Sequence, residues 1–156
     1  MKRRIAFLVG TLSLFLAAPL AAMAEGVQAG GLKISHGWSR STPKLARVGV
    51  GYLTIENEGA KADRLIAIVC SCAKNIGMHE TELKDGLMQM TIAPDGFVIP
   101  PHQTVILKPS SKHLMFMGLQ QQFIADESFV ATLTFEQAGV VDITFKIEPL
   151  RRQKRP

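Results

Sequence analysis

Much of the equipment of known enzymes is missing from this 156-residue sequence. It has no nucleophile elbow, no Cys-x-x-Cys redox pair, no phosphate-binding glycine loop and no His-Glu-x-x-His zinc helix. The chain is therefore expected to bind rather than to catalyse. Aromatic residues are few, at 6% with one Trp and one Tyr, and no basic, aromatic-studded face suits a nucleic acid. No segment reads as an amphipathic helix, and internal repeats and low-complexity linkers are absent. After the first two dozen residues, no run is apolar enough to cross a bilayer. Cysteine is limited to Cys70 and Cys72.

What is present begins with an export signal. Lys2, Arg3 and Arg4 precede the apolar run Ile5 to Ala22, and Ala22-Met23-Ala24 offers small residues where a signal peptidase reads. Residues 1–24 are thus read as a signal peptide, placing the mature protein in the periplasm without stable membrane insertion. An uncleaved anchor is the lesser alternative. Three of the 18 basic residues leave with the signal and all 13 acids remain, so the mature chain is close to neutral. Residues 25–149 suffice for one domain with a core. The basic run Arg151, Arg152, Lys154 and Arg155 reads as a solvated tail spanning 150–156.

The mature region reads as short strands divided by turn residues. Val48 to Asn57, Arg64 to Cys70, Thr104 to Lys108, His113 to Met117, Ser128 to Glu136 and Val140 to Glu148 are rich in branched and aromatic side chains. Alternation from Ser128 puts Phe129, Ala131, Leu133 and Phe135 on one face. Many short strands with regular breaks predict an antiparallel sandwich or barrel. Asp85-Gly86 predicts a hairpin in which Thr81 to Leu83 faces Leu87 to Thr91.

Five methionines survive processing, namely Met78, Met88, Met90, Met115 and Met117, and all fall in a window that also holds His79, His102 and His113. Any one of them is more simply a gap-filler in the core. Their spacing argues otherwise collectively: His113, Met115 and Met117 share one strand face, as do Met88 and Met90, while Leu114 and Phe116 take the opposite face. Thioether and neutral imidazole suit monovalent copper and offer little to calcium, magnesium or manganese. Zinc is the competing metal, through His79, Glu80, His102 and His113. Packing without metal is the other alternative.

At this point the residues resemble a known family. "MHETELKDGLMQM" followed by "HLMFMGL" is similar to the periplasmic copper chaperones that serve the copper-A centre of cytochrome oxidase. Their signature is a histidine, ten residues, a methionine, some twenty-one residues and His-x-Met. "GWSRSTP", "GYLTIENEGAKADRL" and "IPPHQTVILKPSSKH" extend the likeness over nearly the whole mature chain. The resemblance implies an all-β, cupredoxin-like antiparallel Greek-key β-sandwich. It implies Cu(I) as cargo, bound by His79, Met90, His113 and Met115 in a monomer. A cytochrome c oxidase subunit or a thioredoxin-like copper assembly factor is then the partner. Met78, Met88 and Met117 become reserve sulfurs or packing. The spacing from Met90 to His113 is one residue longer than the family pattern, and the Ala93-Pro94-Asp95-Gly96 turn is where a loop absorbs it.

Cys70 and Cys72 lie two apart. In a straight strand their Cα atoms would be roughly 6.5 to 7 Å apart, at the edge of what a bridge tolerates, so a disulfide requires a bulge or turn after Val69. Free thiols and an accessory thiolate copper site are the alternatives. His36 is read as a packed or hydrogen-bonded histidine, His102 as exposed in a turn, and Glu80 as either an orienting partner of His79 or an exposed carboxylate. A blue-copper carrier, which needs a cysteine ligand, fits poorly because the His113-x-Met115 segment holds no thiol.

Overall fold

The computed structural model describes residues 26–150, and the signal-peptide expectation and the charged part of the tail lie outside them. In chain order the strands are β1 (Val27–Ala29), β2 (Leu32–Arg40), β3 (Val48–Asn57), β4 (Asp63–Val69), β5 (Ala73–Lys84), β6 (Leu87–Ile92), β7 (Phe97–Ile99), β8 (Thr104–Leu107), β9 (His113–Leu119), β10 (Ser128–Phe135) and β11 (Gly139–Glu148). No helix occurs among the described residues. The expected all-β sandwich is the fold found.

Hydrogen bonding runs through the strands in the order β6-β5-β9-β3-β2-β11-β10-β4-β7, with β1 on β2 and β8 on β3. Neighbouring pairs are antiparallel except β2 and β11, which run parallel through Trp38–Arg40 and Lys146–Glu148. This seam lets the two halves fold face to face. Phe116 of β9 meets Phe129 of β10 and Phe145 of β11 edge-on, with ring centroids 5.3 and 6.0 Å away. Leu53, Ile55, Leu65, Leu114 and Leu133 complete a dry interior. Period-two alternation accounts for it: Phe129, Ala131, Leu133 and Phe135 are all buried.

Two polar side chains fasten the loops to this core. Asn57 Nδ2 donates to the Lys61 and Ile99 carbonyls. Asp63 accepts from the backbone N–H groups of Arg64, Gln137 and Ala138. Trp38 lies against Tyr52, its register partner, with ring centroids 4.4 Å apart.

His36 departs from its expected packed setting. It is exposed, with φ of 52°, at the register shift where β2 passes from Ser35 to Trp38. The bulge turns its side chain out of the pleat, an effect that residue composition does not announce.

The β5–β6 hairpin projects beyond the sandwich. β9 ends its pairing with β5 at His113 opposite His79, so β6 is the one strand paired with Glu80 to Lys84, and beyond the contacts of Glu80 and Thr81 with the loop before β9 the ribbon stands free. All six residues of β6 are exposed. Asp85 and Gly86 close the turn with φ of 52° and 78°. Positive φ at both central positions is the type I′ geometry that follows strand twist, and it favours Asp-Gly. The register sets Thr81 opposite Met90 and Leu83 opposite Met88, as predicted.

Candidate metal centre

The metal-binding side chains expected from sequence come from three adjacent strands, β6, β5 and β9. His79 of β5 stands directly opposite His113 of β9, and Gly77 opposite Met115. Met90 of β6 stands opposite Thr81, two residues along from His79. Opposite partners share a face, and so do alternate residues of one strand. His79, Met90, His113 and Met115 therefore leave the sheet on the same side, away from the core side taken by Leu114 and Phe116.

The two imidazoles lie nearly parallel, with ring centroids 5.8 Å apart. His113 is buried, at 5% exposure, and its Nδ1 is 2.8 Å from the Ser111 carbonyl oxygen. A carbonyl only accepts, so Nδ1 carries the proton and Nε2 keeps its lone pair in the neutral ring. The same carbonyl accepts the Thr81 N–H, which ties the histidine to the root of the hairpin. Burial, and secondly the nearby His113, hold the pKa of His79 below the usual imidazole value of 6.5. Both effects favour the neutral, metal-binding ring.

Gly77 shapes the floor. A β-carbon on this residue would lie 2.7 Å from His79 Nε2 and 3.3 Å from the terminal methyl of Met117. Its missing side chain gives the imidazole room to lean over the strand. Sequence reasoning passes over Gly77, although an isolated glycine within a strand pattern is a signal of close approach. Ser111 acts through its backbone oxygen, which no side-chain pattern reveals.

The methionines separate by face and exposure. Met78 is 9% exposed and opposite Leu114, so it is core packing and not a reserve sulfur. Met88 and Met90 are 55% and 56% exposed on β6. Met115 and Met117 are half-buried.

Glu80 turns to the side opposite His79 and pairs with Lys112, so it does not orient the histidine. His102 is exposed in the turn before β8, with φ of 56°. Among the described residues, no three His, Cys, Asp or Glu side chains gather where they could hold a metal ion. Of the four donors named for zinc, His79 and His113 stand together, whereas Glu80 turns to the other side of the strand and His102 lies in a turn before β8.

Cys70 and Cys72 form a disulfide. A turn after Val69 shortens the Cα separation to 5.2 Å, well below the straight-strand distance. Neither thiol is free, which removes the accessory thiolate site in this state.

The family described as "Putative lipoprotein LpqE-like" matches residues 32–147. The chain belongs to the LpqE-like family. A relative from Leifsonia xyli subsp. xyli, named "Putative lipoprotein Lxx21020", is 27% identical over 143 residues, spanning 92% of this chain and 85% of the relative. Among solved structures, the copper-bound PCuAC domain from PmoF2 superposes with a TM-score of 0.68 at 22% identity, covering 80% of this chain and 97% of that one. The Cu(I) form of DR1885 from Deinococcus radiodurans gives 0.59 at 20% identity, covering 81% and 83%. The LpqE-like chain thus has the fold of PCuAC domains, which the sequence resemblance implied, and two of these structural neighbours carry copper.

Proposed function

We propose that this LpqE-like protein is a copper carrier of the cell envelope that binds Cu(I) through His79, Met90, His113 and Met115. The observation behind this reading is the common face of those four residues, with the His113 Nδ1 proton engaged by Ser111 so that Nε2 is available. Two thioethers and two neutral imidazoles form an uncharged, soft donor set matched to a monovalent ion. Methionine also cannot be lost to thiol–disulfide chemistry, an advantage in the oxidising compartment that the Cys70–Cys72 bridge suits. The relatives' lipoprotein names and the copper held by structural neighbours support the same place and cargo.

The exposed position of Met90 suits ligand exchange. An incoming donor displaces one thioether at a time and copper stays monovalent throughout; the departing thioether takes up no proton, and where the incoming donor is a thiol its proton is released to solvent as the Cu–S bond forms. The acceptor is an assembling cytochrome c oxidase copper centre, reached directly or through a thioredoxin-like assembly factor, and the carrier works as a monomer without catalytic turnover.

Anaerobic titration of the mature protein with Cu(I) is expected to end at about one equivalent, as a single four-donor site requires. Replacing Met90 and Met115 together by Leu should abolish tight binding with the circular dichroism unchanged. Unaltered binding overturns this ligand set. Transfer is checked by mixing the loaded protein with the apo copper-A domain of the oxidase, and retention of all copper by the carrier overturns delivery.

A further inference from the structure

The outer face of β9 holds one more sulfur than the four-donor set uses. Met117 follows Met115 by two residues, so it leaves the same side of the strand. It is paired with Asn75 of β5 and Val48 of β3. The two unshared sulfurs thus flank His79: Met90 lies one register step toward the hairpin tip, and Met117 lies on the opposite side, toward the base.

The imidazole has already chosen between these directions. Its Nε2 leans over Gly77, into the hollow that also receives the terminal methyl of Met117. The positions of both atoms relative to a Gly77 β-carbon, 2.7 and 3.3 Å, limit their separation to no more than the sum of those distances. The Met117 sulfur is one bond from that methyl; rotation about the Cγ–Sδ bond swings the methyl aside and re-aims the sulfur lone pairs, and rotation about the Cβ–Cγ bond moves the sulfur itself. The supports of the two sulfurs also differ. Met117 is half-buried on a strand hydrogen-bonded on both sides, whereas Met90 is more than half exposed on the outermost strand of a projecting hairpin.

We infer that Met117 is a fifth copper donor, which holds the ion with His79, His113 and Met115 while Met90 is engaged by a partner. In the exchange one Cu–S bond to Met90 breaks as one to Met117 forms, with no change in copper oxidation state and no proton transfer. The retained ion stays four-coordinate while the outer sulfur is free to dock. The inference rests on the copper reading of this face.

The test compares Cu(I) affinity by anaerobic competition with a chromophoric chelator for the wild type, M90L, M117L and M90L/M117L. Each single variant should lose less than about tenfold, because the other sulfur substitutes, and the double variant should lose more than about a hundredfold, a coupling expected of interchangeable ligands. In wild-type protein labelled with carbon-13 at the methionine methyls, the Met117 resonance should shift on adding one equivalent of Cu(I). If M117L adds no loss to M90L and the Met117 methyl does not move, Met117 is packing and the inference falls, with the four-donor site intact. If the wild type binds no Cu(I), the copper reading itself falls. The labelled wild type decides the question even if a variant misfolds.

Discussion

His79 couples the chemistry of the face to its packing. Burial first, and the neighbouring His113 second, disfavour its charged form, so its pKa lies below 6.5. Between the lowered value and the ordinary one, the unfolded chain holds more proton than the native state, so the contribution of His79 to stability falls as pH drops through that window. In an NMR titration of the apo protein, the His79 ring should titrate below pH 6.5. In His113→Ala the midpoint should rise, because both causes shrink. An unchanged or lower midpoint would mean that His113 does not set the environment of His79. Gly77 allows a second test at this scale. Ala at this position meets His79 Nε2 at 2.7 Å, and the flexible ring can yield where backbone could not. Gly77→Ala should therefore keep the melting temperature within about 3 °C, since a Gly-to-Ala change in a strand is worth under about 1 kcal/mol. Its Cu(I) affinity should drop by about tenfold, the cost of displacing one of a few ligands by an ångström or so. An affinity equal to wild type would show that the ring's lean over Gly77 is irrelevant to binding.

At the scale of elements, the β5–β6 hairpin was the most legible part of the chain. Asp85-Gly86 announced its turn, and a two-residue loop fixes the register that sets Met90 opposite Thr81. Alternation then placed His113, Met115 and Met117 on one face and Leu114 and Phe116 on the other, because period two is a property of any strand. Three features escaped this logic. The bulge that exposes His36, the turn that brings Cys70 to Cys72, and the pairing of Glu80 with Lys112 depend on backbone irregularity or on a partner more than thirty residues away. Periodicity is silent about all three. The hairpin also makes a prediction of its own. Gly86 sits at φ of 78°, and a β-carbon added to it would have no atom within 4 Å, so Ala there suffers backbone strain but no clash. The left-handed conformation costs a non-glycine residue about 1 kcal/mol, and a ribbon supported on one side only has little to absorb it. In Gly86→Ala, amide exchange across Leu87–Ile92 should quicken about fivefold, the equivalent of that energy, while β10 and β11 keep their protection. Uniform quickening in every strand would show that the hairpin does not open independently.

For the whole molecule, the proposed copper face and the core are separate responsibilities of the same strands. β5 and β9 turn Met78, Leu114 and Phe116 inward and His79, His113 and Met115 outward, so each strand is fixed by its dry side and free to vary chemically on its open side. Closure of the sandwich is secured far from the metal-binding face. There Asp63, at the start of β4, takes hydrogen bonds from the Gln137 and Ala138 N–H groups at 2.9 Å each, holding the β10–β11 turn against β4. The Asp63 side chain is nearly buried, so removing it strands donors that water reaches poorly. Asp63→Ala should cost ~2 kcal/mol, the range for orphaned buried hydrogen-bonding groups, and lower the melting temperature by roughly 8 °C for a domain of this size. Its Cu(I) affinity, measured well below that temperature, should match the wild type, because none of β5, β6 and β9, which carry the proposed ligands, takes part in the Asp63 hydrogen bonds. A parallel fall in affinity and melting temperature would show that the metal-binding face depends on the closure of the opposite edge, and the division of labour between the two sides of β5 and β9 would have to be abandoned.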